Sequence, residues 1–327
     1  MSSAPTSIVA SARDEALASR LEARRCIVLG GSGFLGSNLC ASLRHKVAEL
    51  RAFSTTPCRV EGVDWRQGDF LDSDQLRLAL TGMETVYHLV GTNTPAGSNT
   101  DIAADARQNI LSTIDLLDIC RGSGVERVVF VSSGGTVYGE PQYLPIDEGH
   151  PTNPICAYGV SKLTIEKYLA LYEQLYGLRA LSLRLSNPYG PYQSGEKRQG
   201  AIAVFIAKAL RGEAIEIWGD GSVVRDYLYV ADAVEALERA AAYAGDNRVF
   251  NVGSGLGVAL NDIVAALGKV LGKVVRQTHL PSRSFDVSAN VLNSALAERE
   301  LNWRAVTSLE DGIRRTVDWC RARGERR

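Results

Sequence analysis

A chain of 327 residues with 45% hydrophobic and 22% charged side chains has the composition of an ordinary globular protein, long enough for one large core or a domain with a smaller annex. Its formal net charge of -1 leaves no electrostatic footprint for nucleic acid, and no uninterrupted apolar stretch reaches the roughly 18 to 20 residues that a membrane span requires. Six cysteines (Cys26, Cys40, Cys58, Cys120, Cys156, Cys320) are scattered without a metal-type pair, so they read as reduced thiols, no metal is expected, and a small-molecule partner fits best.

The first 24 residues lack the continuous apolar core of a secretory signal, although Asp14 to Arg24 has the pattern of a short amphipathic helix. A cytoplasmic protein with a frayed extension over 1–24 is expected. Cys26-Ile27-Val28-Leu29 then predicts a strand, the glycines behind it a tight turn, and Asn38 to Arg44 a helix. Strand patterns follow at Glu49 to Ser54, Val63 to Gln67, Thr85 to Leu89, Arg127 to Ser132 and Leu178 to Leu185. Helical patterns separate them at Ser73 to Leu80, Asp105 to Arg121 and Ala157 to Tyr176. Such alternation implies parallel crossovers and an α/β fold with a doubly wound sheet.

After Asn187-Pro188-Tyr189-Gly190-Pro191 the texture changes to a polar loop, a helix from Ala201 to Arg211, a short strand Ile215 to Trp218 and the turn Gly219-Asp220-Gly221. Tyr229 to Tyr243 and Val249 to Val252 carry the helix and strand patterns needed to return to the sheet. The expected division is therefore discontinuous: a dinucleotide-binding domain over 25–187 and 226–257, and a smaller substrate domain over 188–225 and 258–327.

Two motifs carry chemistry. Gly30, Gly33 and Gly36 follow a strand and open a helix, where glycines permit a close approach to a pyrophosphate and the helix start favours its charge; Phe34 and Leu35 lie within the same loop. The carboxylate expected about 20 positions on, for a ribose 2′-hydroxyl, is replaced by Ser54. Arg51 or Arg59 could therefore meet a 2′-phosphate, so NADP is an alternative to NAD. Asp69 and Phe70, after the third strand, suit either a contact to the adenine amino group or a strand-end cap. In the second motif, Tyr158 and Lys162 stand four apart on one helix face, where an ammonium beside a phenol favours phenolate and makes proton transfer from a sugar hydroxyl feasible. His88, inside an apolar strand, reads as a core histidine.

The glycine loop, Ser132-Ser133-Gly134-Gly135-Thr136-Val137-Tyr138-Gly139, Tyr158/Lys162, Leu185-Ser186-Asn187-Pro188 and Arg225-Asp226-Tyr227 occur in the order seen in the NAD-dependent sugar-nucleotide epimerases and dehydratases. The chain resembles that family, the extended short-chain dehydrogenases/reductases, from about Arg25 to its final helix, and is most similar to the UDP-glucose 4-epimerase branch. The resemblance implies a Rossmann fold, bound NAD, Tyr158 as acid/base, and Lys162 as the residue that lowers its pKa and holds the nicotinamide ribose. It implies cofactor contacts at Leu89, Val90, Gly91 and Asn109. Asn187, Arg225, Arg283, Gly200 and Ala201 would hold the sugar diphosphate. Relatives dimerise through helices matching 104–120 and 158–176, which here carry apolar residues on more than one face, so a homodimer is expected.

Two departures bear on the chemistry. The family's Ser or Thr that helps the tyrosine polarise the reacting hydroxyl aligns with Gly134, which leaves Ser133 first, Thr136 second, or a water to supply that hydrogen bond. The Asp-Glu pair of 4,6-dehydratases is replaced by Gly135 and Thr136, which disfavours dehydration. The leading reading is 4-epimerisation of a UDP-hexose, glucose/galactose or the N-acetyl forms, through a transient 4-keto sugar. Its rival is an NAD(P)H-dependent reductase of a nucleotide-linked 4-keto-6-deoxysugar.

Overall fold

The computed structural model describes residues 19–91, 95–196, 200–281 and 287–324. The elements run β1 (Arg25–Leu29), α1 (Phe34–Leu43), β2 (Glu49–Ser54), β3 (Asp64–Gln67), α2 (Ser73–Leu80), β4 (Thr85–His88), α3 (Ser112–Gly122), β5 (Arg127–Ser133), α4 (Ala157–Tyr176) and β6 (Arg179–Leu185). They continue with β7 (Asn187–Tyr189), α5 (Ala201–Arg211), β8 (Ile215–Trp218), β9 (Val224–Tyr229), α6 (Val230–Ala242), β10 (Val249–Val252), β11 (Gly257–Ala259), α7 (Leu260–Leu271), β12 (Gln277–Leu280), β13 (Ala289–Asn290), α8 (Ala295–Leu301) and α9 (Leu309–Gly324).

Seven strands form one parallel sheet in the order β10-β6-β5-β4-β1-β2-β3. A parallel sheet is covered on both faces, which is why its strands read as continuous apolar runs. Side chains alternate across it: Cys26 and Val28 of β1 enter one core with Leu39, Val129 and Leu237, while Ile27 and Leu29 enter another with Phe130, Leu117 and Ile165. The sequence order reverses between β1 and β4, so the carboxyl ends of these strands open the crevice in which a doubly wound sheet binds its ligand.

The smaller unit is built on β9, which pairs with β7, β11 and β13, while β8 and β12 form a separate parallel pair. The boundary expected at 225/226 cuts through β9. Ile202, Phe205 and Ile263 of the smaller unit share the first core with Val28 and Leu39.

Three local expectations need correction. The first helix starts at Phe34, because Gly36 and Ser37 are buried on its inner face and break the apolar pattern that would have marked the first turn. The helix expected over Asp105 to Arg121 is not uniform: Ala106–Leu111 is π-helical and α3 begins at Ser112. Side chains compete there for backbone carbonyls, with Ser112 Oγ donating to Arg107 O at 3.1 Å and Thr113 Oγ1 to Asn109 O at 2.6 Å. The frayed extension does not reach residue 24, since Leu21 is buried and Arg20 Nη1 donates to Ala242 O. Residues 14–18 of the Asp14 to Arg24 segment lie outside the described residues.

Candidate active site

The glycine loop leaves β1 at the crevice. Gly30 has φ +84°, a conformation that favours glycine, and a Cβ added at Gly36 would stand 2.1 Å from Gly30 O. Gly33 accepts less crowding, with its added Cβ 3.1 Å from the same oxygen. Gly31, absent from the sequence argument, is also required: a Cβ there would lie 2.7 Å from Ala52 Cβ. Gly33 caps α1 without a side-chain hydrogen bond, so the helix start presents its N–H groups to the cradle, flanked by half-buried Phe34 and Leu35. A cradle that any Cβ would fill, opposite an uncapped helix start, fits the pyrophosphate of NAD. The backbone of Leu89 and Val90 lies against Gly30, and Gly91 follows them exposed, so the strand-end loops of β1 and β4 meet as expected.

At the end of β2, Ser54 is buried; its hydroxyl donates to Thr56 O at 2.9 Å and accepts from Trp65 Nε1 at 3.3 Å. Arg51 is not available to a 2′-phosphate. It pairs with Glu49 at 2.8 Å and Asp64 at 3.1 Å and donates to Ala79 O and Thr81 O, because its position in β2 points it to the β3 side. Arg59 donates to Tyr192 O. Asp69 accepts from Leu71 N at 3.0 Å, a strand-end turn, and Phe70 stacks on His88 at 5.0 Å. His88 is the core residue expected: its Nε2 is 3.0 Å from Thr113 Oγ1, and burial with the nearby Lys162 charge lowers its pKa to about 3, which keeps it neutral.

Tyr158 and Lys162 occupy the first turns of α4, beside the end of β5. Lys162 Nζ lies 5.6 Å from the Tyr158 ring centroid and 4.6 Å from that of Phe130, and donates to Val131 O at 2.9 Å. Tyr158 N donates to Ser98 Oγ. The pair faces one way, but its electrostatics in this structure run against the expectation that the lysine lowers the phenol. Burial, with smaller contributions from Cys156 and Asp105, pushes the Tyr158 pKa up to about 12. Burial lowers Lys162 to about 8 against the opposing carboxylates of Glu166 and Asp105. Desolvation disfavours both charges, and Nζ is turned to a carbonyl rather than to the phenol.

Gly134 has a physical reason for lacking a side chain. A Cβ there would stand 2.5 Å from Leu292 Cδ1 and 3.1 Å from Arg184 O, so this position points into packed structure and could not present a hydroxyl to the crevice. Ser133, half-buried at the carboxyl end of β5, and Thr136, whose buried Oγ1 has no hydrogen-bond partner, remain as candidates. Asn290 Nδ2 donates to Gly134 O at 3.2 Å and brings the 289–292 segment against this loop.

Two of the substrate candidates lie on paired strands of the smaller sheet. Asn187 on β7 donates to Asp226 O at 3.0 Å, and Arg225 on the adjacent β9 donates to Val224 O. Gly200, at φ +86°, and Ala201 open α5. Arg283 lies outside the described residues. Sequence reading missed the groups that build the frame. Asp226 accepts from Ser254 N, Ser254 Oγ, Gly255 N and Leu292 N, tying β9 to two loops. Glu166, eight residues beyond Tyr158 and hence on its helix face, pairs with Arg184, whose Nη1 donates to Tyr138 OH. The helical spacing could have flagged Glu166; nothing local flags Arg184. Among the described residues no His, Cys, Asp or Glu cluster could hold a metal ion, and no helix is long and apolar enough to cross a membrane.

The fold, with its glycine cradle at the carboxyl end of β1, defines a dinucleotide-binding α/β enzyme. A model of the NAD dependent epimerase/dehydratase family matches residues 26–253. A UDP-glucose 4-epimerase of Mycolicibacterium smegmatis is 33% identical over 314 residues, 92% of this chain and 100% of that one. A dTDP-4-dehydro-6-deoxyglucose reductase of Escherichia coli is 29% identical over 91% of this chain and 98% of its own. The structure of a Thermotoga maritima UDP-glucose 4-epimerase with UDP-glucose superposes with a TM-score of 0.87 at 33% identity, over 91% of this chain and 99% of that one. The chain belongs to the NAD dependent epimerase/dehydratase family.

Proposed function

We propose that the protein is an NAD-dependent 4-epimerase of a UDP-hexose. The observation that carries this is the sheet order β5-β4-β1, which puts the glycine cradle after β1 and the end of β5, where Lys162 donates to Val131 O and lies over the Tyr158 ring, on either side of β4, in a chain similar to UDP-glucose 4-epimerases over nine-tenths of its length. When bound, the nicotinamide supplies a reversible hydride acceptor. Tyr158 Oη takes the proton of the sugar 4-hydroxyl and returns it after the 4-keto sugar has presented its other face. Lys162 holds positive charge beside that phenol, and Ser133, placed ahead of Thr136, hydrogen-bonds the reacting oxygen. Asn187 and Arg225 hold the diphosphate, with 188–225 and 258–327 as the sugar-nucleotide unit and β9 shared between the two units.

The reductase reading is favoured by one observation, the 29% identity to a dTDP-4-dehydro-6-deoxyglucose reductase. It is weakened at the cofactor, since Arg51 is committed to Glu49 and Asp64. Purified protein is expected to carry bound NAD and to interconvert UDP-glucose and UDP-galactose with no added cofactor. A strict requirement for NADPH in a net reduction would replace the epimerase reading with the reductase.

The same reading includes a homodimer. Leu117 and Leu169 are buried within the subunit, but Ile102, Ile155, Val160, Leu171 and Leu175 are exposed, and a cleft of about 360 Å³ runs between Ile102, Ile110, Ile155 and Val160. An apolar face of this kind, formed by Val160, Leu171 and Leu175 of α4 with Ile102 and Ile155 beside its start, supports burial against a second copy. Light scattering at micromolar concentration is expected to give twice the chain mass; a monomer rules the dimer out. Six free cysteines support a reducing, cytoplasmic location.

A further inference from the structure

A hydrogen-bonded turn follows β7 and reaches the elements that flank the glycine cradle. Gly190 O accepts from Gln193 N at 3.3 Å, Pro191 stands second, and Tyr192 stands third with φ +67°. This is the type II pattern, in which proline suits the second place and glycine the third. A bulky side chain in the third place is an outlier that persists only where its surroundings hold it. Here they do. The half-buried Tyr192 ring packs on Trp319 of α9 with centroids 5.2 Å apart, and the Arg323 guanidinium lies over both rings.

The carbonyls of this turn are held from the cofactor side. Pro191 O accepts from Asn38 Nδ2 at 2.8 Å, and Tyr192 O accepts from Arg59 Nη1 at 3.3 Å. Asn38 lies one turn into α1, the helix that starts at the cradle, and its amide also donates to Phe34 O at 2.9 Å. Arg59 belongs to the loop after β2. In that loop Thr56 Oγ1 donates to Ser32 Oγ of the glycine loop at 2.9 Å, and Cys58 Sγ lies 3.9 Å from Gly31 O. The contacts close a circuit from the glycine loop through the β2 loop and the turn to α1 and back. We propose that the 190–193 turn is a latch that retains the dinucleotide, with Asn38 as the positioning residue that holds it shut. In a doubly wound fold the pyrophosphate sits at the start of the first helix and the ribose beside the end of the second strand, and the turn clamps the elements that follow both. Release then requires local opening of the circuit, so breaking one of its contacts shortens the residence time of the cofactor.

The test reads cofactor exchange, so its result stands whether the sugar reaction is epimerisation or reduction. Holoenzyme is mixed with excess isotopically labelled NAD well below the melting transition, and uptake of label into the protein is followed by mass spectrometry. Asn38→Ala removes the donor to Pro191 O and is expected to exchange NAD at least about 10-fold faster than wild type. Tyr192→Ala gives up the ring contact and resists the positive φ, and it is expected to exchange faster in the same way. A merely structural role would lower the melting temperature of Asn38→Ala and leave its exchange rate at the wild-type value; that unchanged rate overturns the proposal. Should Asn38→Ala fail to fold, the rate of Tyr192→Ala decides by the same criterion.

Discussion

Tyr158→Phe is expected to lower the epimerisation rate by roughly 10²- to 10⁴-fold while the protein stays folded. The substitution deletes one oxygen. The ring remains against Lys162, and the backbone N–H of residue 158 still donates to Ser98 Oγ, so helix α4 keeps its entry into the crevice. What disappears is the group that takes and returns the proton of the 4-hydroxyl. The phenol stands at about 12 in this structure, well above assay pH. Its deprotonated fraction therefore grows with pH, and wild-type kcat/KM is expected to rise with pH until Lys162 loses its proton near 8. Steady-state rates beside a thermal melt check the substitution; a variant that keeps most of its activity takes Tyr158 out of the chemistry.

The second large effect is on stability. Glu166→Ala is expected to cost about 3–5 kcal/mol, because it leaves the Arg184 guanidinium buried and uncompensated. The pair is closed to water, with side-chain exposures of 6% for Arg184 and 3% for Glu166. Arg184 reaches the carboxylate through Nε at 3.0 and 3.2 Å and Nη2 at 2.6 Å, and Ser132 Oγ donates to the same carboxylate at 2.5 Å. Tyr138 OH accepts from Arg184 and donates to Asn251 Oδ1 at 2.6 Å, so the network joins α4, β5, β6 and β10 behind the site. Replacing both members, Glu166→Leu with Arg184→Met, is expected to recover a large part of the loss, since a well-packed apolar pair leaves no buried charge. Urea unfolding midpoints decide it: a Glu166→Ala cost below about 1 kcal/mol would mean that water or a neighbour satisfies Arg184.

The sheet was legible because its strands are short apolar runs bounded by glycines and helical patterns, and those signals are local. So were the glycine cradle and the Tyr158/Lys162 spacing, each contained within a few residues. The rest depends on partners distant in sequence. Gly134 reads as a lost hydroxyl until Leu292 and Arg184 O are found in the space its side chain would take. Arg51 reads as a phosphate ligand until Asp64 and the end of α2 are seen to hold it. The rise of the Tyr158 pKa comes from desolvation, which no spacing reveals. The π-helical turn at Ala106–Leu111 follows from Ser112 and Thr113 bonding back to carbonyls, where the apolar period alone predicts a continuous helix.

The most direct test of the central claim, that hydride leaves C4 of a tethered sugar and returns to the same carbon on its other face, uses UDP-glucose deuterated at C4. With purified protein and no added nicotinamide cofactor, the expected product is UDP-galactose with the deuterium still at C4 and no net change in the nicotinamide. Loss of the label to solvent, or turnover only with stoichiometric consumption of NAD(P)H, would contradict it.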